Sequence, residues 1–93
     1  NRGFKENKDM AQQFPPQQYK TRLALLVFLK GASAPMVLYF EDPKAVFDEI
    51  LPLIRVQSSV GKLIEKEATG PIKKVAIMSN QIASIALQEE VCQ

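Results

Sequence analysis

The chain is predicted to fold as a small α+β domain: an antiparallel sheet of four to five strands with one main amphipathic helix, in ββαββ(β) order. Three observations carry this. Short apolar segments bounded by turn residues recur through residues 21–93, the signature of strands. One segment, after Asp42-Pro43, changes to the three- and four-residue spacing of a helix. The chain has 93 residues, 46% hydrophobic and 24% charged, which suits one modest core and is too apolar for wholesale disorder.

Residues 1–20 read as a separate polar leader, with Gln12, Gln13, Gln17 and Gln18 around Pro15-Pro16. Two prolines stop a helix and exclude a central strand, so a mobile leader is expected; with no methionine at its start, the chain reads as a processed form, a fragment or one with a vector-derived leader, and Met10 is a candidate natural start. Arg22–Lys30 (RLALLVFLK) is the first strand, Gly31–Pro35 a turn, and Met36–Glu41 (MVLYFE) the second strand of a hairpin. Asp42-Pro43 supplies an N-cap acceptor and a proline at the first helical position. Ala45, Val46, Phe47, Ile50, Leu51 and Ile54 then form one apolar face of a helix ending around Ser58-Ser59, with a kink or a second turn expected at Pro52. Lys62–Ala68 is an exposed strand, Thr69-Gly70-Pro71 a turn and Lys73–Met78 a further strand. After the break at Ser79-Asn80-Gln81, Ile82–Glu90 reads as a last strand, with a helix as the alternative.

These strands do not alternate as a sheet with one wet face should. The first offers Leu23, Leu25, Val27 and Leu29 on one side and Ala24, Leu26 and Phe28 on the other; the second offers Met36, Leu38 and Phe40 against Val37 and Tyr39. Val75 and Ile77 likewise oppose Ala76 and Met78. One helix cannot cover both faces. Self-association is the expected cover, with the leader or a different protein as alternatives.

Composition excludes much chemistry. There is no histidine, and the one cysteine, Cys92, stands beside the C-terminus. His-based acid–base catalysis, Ser-His-Asp and Cys-His systems and the common zinc sites are all removed, and no cofactor or metal is expected. A single cysteine allows no internal disulfide and fits a reducing cytoplasm. No apolar run approaches the roughly 20 residues needed to span a bilayer, and with no basic stretch followed by an apolar one at the start of these residues, no signal peptide is expected within them. Gly61-Lys62 lacks the upstream glycine and following Ser or Thr of a phosphate loop. The carboxylate pairs Glu41-Asp42, Asp48-Glu49, Glu65/Glu67 and Glu89-Glu90 are read as a cap and solvated surface rather than acid–base pairs. Pro15-Pro16-Gln17-Gln18-Tyr19 carries one spacer too many for a WW-domain ligand.

The net charge is +2, and all of it lies in residues 1–20, where Arg2, Lys5, Lys8 and Lys20 oppose Glu6 and Asp9. The rest is neutral, which argues against a nucleic-acid binder driven by counterion release. Lys62, Lys66, Lys73 and Lys74 form a candidate basic patch, with Glu65 and Glu67 expected to neutralise it.

Leu29-Lys30…Pro35, Ile50-Leu51, Leu63…Glu65, Lys73-Lys74-Val75-Ala76 and Ile82-Ala83-Ser84-Ile85 together resemble a family of small uncharacterised cyanobacterial proteins of unknown function, over about residues 23–88. The resemblance implies the same strand–strand–helix–strand–strand layout and a bacterial source, and no activity.

The expected function is therefore a non-catalytic protein-interaction or assembly module of the cytoplasm, a homodimer or a partner of another protein. Its candidate interface is Leu25, Val27, Val37 and Tyr39. The alternative is a small-ligand-binding domain, with a pocket between helix and sheet lined by Phe47 and Met78, or a nucleic-acid-binding one.

Overall fold

The computed structural model describes residues 19–92. The expected leader, with its proline pair and Met10, lies outside the described residues as far as residue 18. The fold is α+β, as predicted: among the described residues there are one helix and five strands, the strands divided between two antiparallel sheets.

Strand β1 (Lys20–Leu29) turns at Gly31, whose φ of 78° is a conformation open to glycine, into the short β2 (Met36–Leu38). Leu25 pairs with Leu38, Leu26 with Val37 and Val27 with Met36. The second strand was expected to run to Glu41 and stops at Leu38 because the next carbonyl is already engaged. The Tyr39 oxygen accepts a hydrogen bond of 2.7 Å from the Thr69 N–H, outside the ladder.

Helix α1 (Pro43–Val56) starts where the sequence places it. The Asp42 carboxylate accepts from the Ala45 N–H at 3.1 Å, and Pro43 occupies the first turn, where no donor is needed. Ile50 is fully buried, and Val46, Phe47, Leu53 and Ile54 are half-buried beside it at helical spacing. Of the kink or second turn expected at Pro52, no new turn begins there: the helix runs on through it to Val56. Pro52 and Asp48, the residue whose carbonyl loses its partner, are both exposed, so water is at hand for the freed oxygen. The helix ends at Val56, before the expected Ser58-Ser59, because Gln57 adopts a left-handed conformation (φ 51°) and its N–H turns back to the Ile54 carbonyl.

Strands β3 (Leu63–Glu67) and β4 (Lys74–Met78) form a hairpin, and a 3-10 turn (Ser79–Gln81) leads into β5 (Ile82–Cys92). The last segment is strand along its whole length, and the helical alternative falls away, because β1 pairs with it from Lys20↔Cys92 to Leu29↔Ile82. The larger sheet runs β2-β1-β5; the smaller is β3-β4.

Pairing partners share a face, so the register sorts the side chains of the larger sheet. Its inner face carries Leu25, Val27, Leu38 and Ile82, with Met36, Ile85 and Leu87 half-buried. Ile50 of α1 and Ile64, Val75 and Ile77 of the hairpin join the same core cluster. The helix and the hairpin therefore cover one face of the larger sheet. The hairpin itself alternates cleanly between buried and exposed positions, unlike the two-sided strand expected for Val75–Met78. Met78 and Leu63 point out to solvent, 41% and 61% exposed.

Two measurements test this assembly. Ile50→Ala should cost about 2–5 kcal/mol in denaturant unfolding, because Ile50 is 2% exposed at the junction of helix and sheet. Asp42→Ala should cost about 1 kcal/mol and leave the fold intact, since it removes one cap hydrogen bond at an exposed helix end.

Candidate interaction surface

The outer face of the larger sheet carries Arg22, Ala24, Leu26 and Phe28 from β1, Val37 from β2, and Ser84, Ala86, Gln88 and Glu90 from β5. Leu26, Phe28, Val37 and Ala86 are half-buried and lie outside the core cluster, Ala24 is buried, and Ser84 and Gln88 are exposed. This is an apolar centre with a polar margin along β5.

One end of the face is fixed by three residues from distant parts of the chain. Arg22 and Glu90 are cross-strand partners, with Arg22 Nε 3.5 Å from Glu90 Oε1. The Tyr39 hydroxyl donates to the same Glu90 oxygen at 2.7 Å, and the Arg22 guanidinium lies over the Tyr39 ring, 3.9 Å from its centroid. Behind the ring, Gly70 comes so close that a Cβ there would run into Tyr39. The glycine is required by contact, and the hairpin turn is thereby held against the end of β2. The Tyr39 phenol is held above its ordinary value of 10.0. The main cause is its hydrogen bond to the Glu90 carboxylate, which only the protonated phenol can donate; loss of solvent adds to it, and Arg22 pulls the other way.

The four residues expected to form one interface do not share a face. Leu25 and Val27 are 0% exposed and belong to the core against α1 and the hairpin, whereas Val37 and Tyr39 stand on the outer face. The correction follows from register: Val37 pairs with Leu26, so the residues that accompany it are Leu26 and Phe28.

The basic patch is dispersed. Lys66 shares the buried side of the hairpin with Ile64 and reaches Glu49 of α1 at 2.7 Å, while Lys74 stands on the exposed side, 3.7 Å from Glu65. Lys62 lies at the Met78 end of the hairpin and Lys73 at the turn end. Alternation and strand length keep the four ammonium groups from converging.

The expected pocket lined by Phe47 and Met78 is absent among the described residues, because Phe47 packs on the core and Met78 faces solvent. Two clefts lie elsewhere. One of about 590 Å³ sits at the C-terminal end of α1, between Leu53, Gln57, Lys30 and Asn80. The other, about 400 Å³, opens beside Tyr39, between Arg22, Glu41 and Thr69. Cys92 is half-buried, its Sγ 3.5 Å from the Lys20 carbonyl oxygen. Among the described residues no three of His, Cys, Asp and Glu are placed to hold a metal, and no helix is long and apolar enough to cross a membrane.

The Arg22–Tyr39–Glu90 group escaped the sequence reading. Its members are up to 68 positions apart (90 − 22), and only the β1–β5 register brings them together. Compared with known protein families, with curated proteins and with solved structures, the chain matches none.

The phenol provides a direct check. In a Tyr19→Phe chain Tyr39 is the only tyrosine. Its absorbance titration should have a midpoint above 10.0, and Glu90→Ala should lower that midpoint. Because the raised value favours the neutral phenol in the folded state, the stability linked to it is complete below pH 10 and is lost as pH rises through the folded midpoint. An unchanged midpoint in the Glu90 variant would mean that the hydrogen bond does not form.

Proposed function

We propose that the chain is a non-catalytic protein-interaction module that assembles with a second copy of itself in the cytoplasm. One observation carries this reading: the larger sheet is apolar on both faces, and the helix and hairpin cover only the inner one. Leu26, Phe28 and Val37 remain outside the core, on a surface whose rim is held rigid by Tyr39, Arg22 and Glu90. A preformed apolar centre with a polar margin is the composition of an interface between proteins. Burying such a surface contributes about 25 cal/mol per Å² of apolar area, support that a domain of this size needs. The cytoplasmic assignment draws on the single cysteine, which permits no internal disulfide.

Light scattering behind a sizing column, across a wide range of loading concentrations, tests the reading. A dimer or larger assembly that dissociates on dilution is expected. A mass equal to one chain at every concentration would overturn it.

A further inference from the structure

The two edges of the larger sheet are unlike. One is β2, three residues long, preceded by Pro35 and ended where the Tyr39 carbonyl turns to Thr69. It is a blunt edge that offers little backbone to a partner. The other is β5, eleven residues long, which bonds to β1 on one side and to no strand among the described residues on the other. Edges are ordinarily protected by proline, by charged side chains and lysine above all, by a bulge that twists the strand away, or by an inward-pointing charge. β5 contains no proline and no lysine. Its register shift falls at its start, where Phe28 pairs with Ser84 and Leu29 with Ile82, so Ala83 is the extra residue and the strand is regular from Ser84 to Cys92. Of its two charges, Glu89 is exposed, and Glu90 is turned inward to Tyr39 and Arg22.

We infer that the open side of β5 pairs with β5 of a second copy, antiparallel about a two-fold axis at Leu87, making one continuous six-stranded sheet. The inference takes the second copy from the self-association reading but places the contact at the sheet edge, so the apolar outer faces lie side by side and stay uncovered. Charge selects the arrangement. Parallel pairing in register would place Glu89 on Glu89 and Glu90 on Glu90, a destabilising juxtaposition of like charges. Antiparallel pairing about Leu87 puts Glu89 opposite Ile85 and Glu90 opposite Ser84, and it uses only the regular part of the strand, Ser84–Glu90. Moving the axis to Gln88 would bring the two copies of Glu89 diagonally adjacent, within reach of each other. The arrangement about Leu87 also keeps odd residues with odd ones. Both cores then lie on one side of the joint sheet, and the outer faces of the two copies merge into a single surface.

The native chain carries its own reporter, since Cys92 is the only cysteine. With a nitroxide on Cys92, the ten residue steps from Cys92 through the axis to its copy correspond to roughly 34 Å between backbones at about 3.4 Å per step. A dipolar distance near this value is expected, together with hydrogen-exchange protection of the alternate β5 amides that face away from β1, lost on dilution. Ser84 is exposed, so its substitution leaves the single chain intact while probing the register. Ser84→Lys, placed opposite the copy's Glu90, should tighten dimerisation by roughly threefold, and Ser84→Glu should weaken it by a similar factor. A dimer whose outward β5 amides exchange freely, whose labels lie within about 15 Å, or whose affinity ignores both Ser84 variants would overturn the edge inference and leave self-association standing. A monomer at all concentrations would overturn both.

Discussion

The ladder between β1 and β5 decides the side of the sheet on which every other residue stands. It runs from Lys20↔Cys92 to Leu29↔Ile82 with one irregularity, at its last step. Because side chains alternate with a period of two, a slip of one residue would send Leu25 and Val27, each 0% exposed, out of the core and bring Leu26 and Phe28 into it. Both sets are apolar, so hydrophobicity alone discriminates weakly between the two registers. The polar pairing discriminates better. Only the observed register sets Arg22 opposite Glu90, and only on that face does Tyr39 reach the same carboxylate. The three-residue group thus has a specifying role in a sheet whose burial pattern is nearly symmetric.

Its energetic role is smaller. Arg22 is half exposed and its ion pair to Glu90 spans 3.5 Å, a class of contact worth about 0–1 kcal/mol. Full burial of Leu25, Val27, Leu38 and Ile50 contributes about 1.5–3 kcal/mol for each side chain. Stability therefore lies on the inner face, where the helix and hairpin converge. The hairpin is tied to the end of β2 by the Thr69 N–H to the Tyr39 carbonyl, and at its other end the reciprocal Lys62 and Ser79 bonds clamp its two strands together just before the chain enters β5. Ser79 is buried, and its hydroxyl accepts the Lys62 N–H at 2.8 Å, which explains a polar side chain at that depth.

Much of this fold was legible in the residues. Asp42-Pro43 announced the helix because capping is local chemistry, and Lys74–Met78 announced a strand because its residues suit a pleated surface. The doubled apolar faces of β1 were also legible, and with them the conclusion that one helix would not suffice. Which face received the helix was not, because Leu25 and Leu26 look alike until the partners Leu38 and Val37 are known. For the same reason Leu25 and Val27 were grouped with Val37 and Tyr39 across a sheet that separates them. The early end of β2 and the unbroken passage of α1 through Pro52 depend on a tertiary hydrogen bond and on solvent exposure, neither of which a local pattern contains.

The inward turn of Glu90 links the two unusual features of the sheet. A carboxylate near the end of an edge strand would ordinarily repel an approaching strand of like charge. Here Tyr39 donates to it and Arg22 lies 3.5 Å away, which lessens the field it presents beyond the edge without cancelling its charge. The same contacts draw β2, β1 and β5 together at one end, while the opposite side of β5, regular from Ser84 onward, carries no proline or lysine and one exposed charge, Glu89. A residue group that specifies register within the chain thereby also conditions what the edge can accept from outside it. The blunted β2 edge completes the asymmetry. With only three residues and a carbonyl already committed to Thr69, it offers no comparable template, so the proposed pairing at β5 would close after one addition and give a pair rather than a fibre.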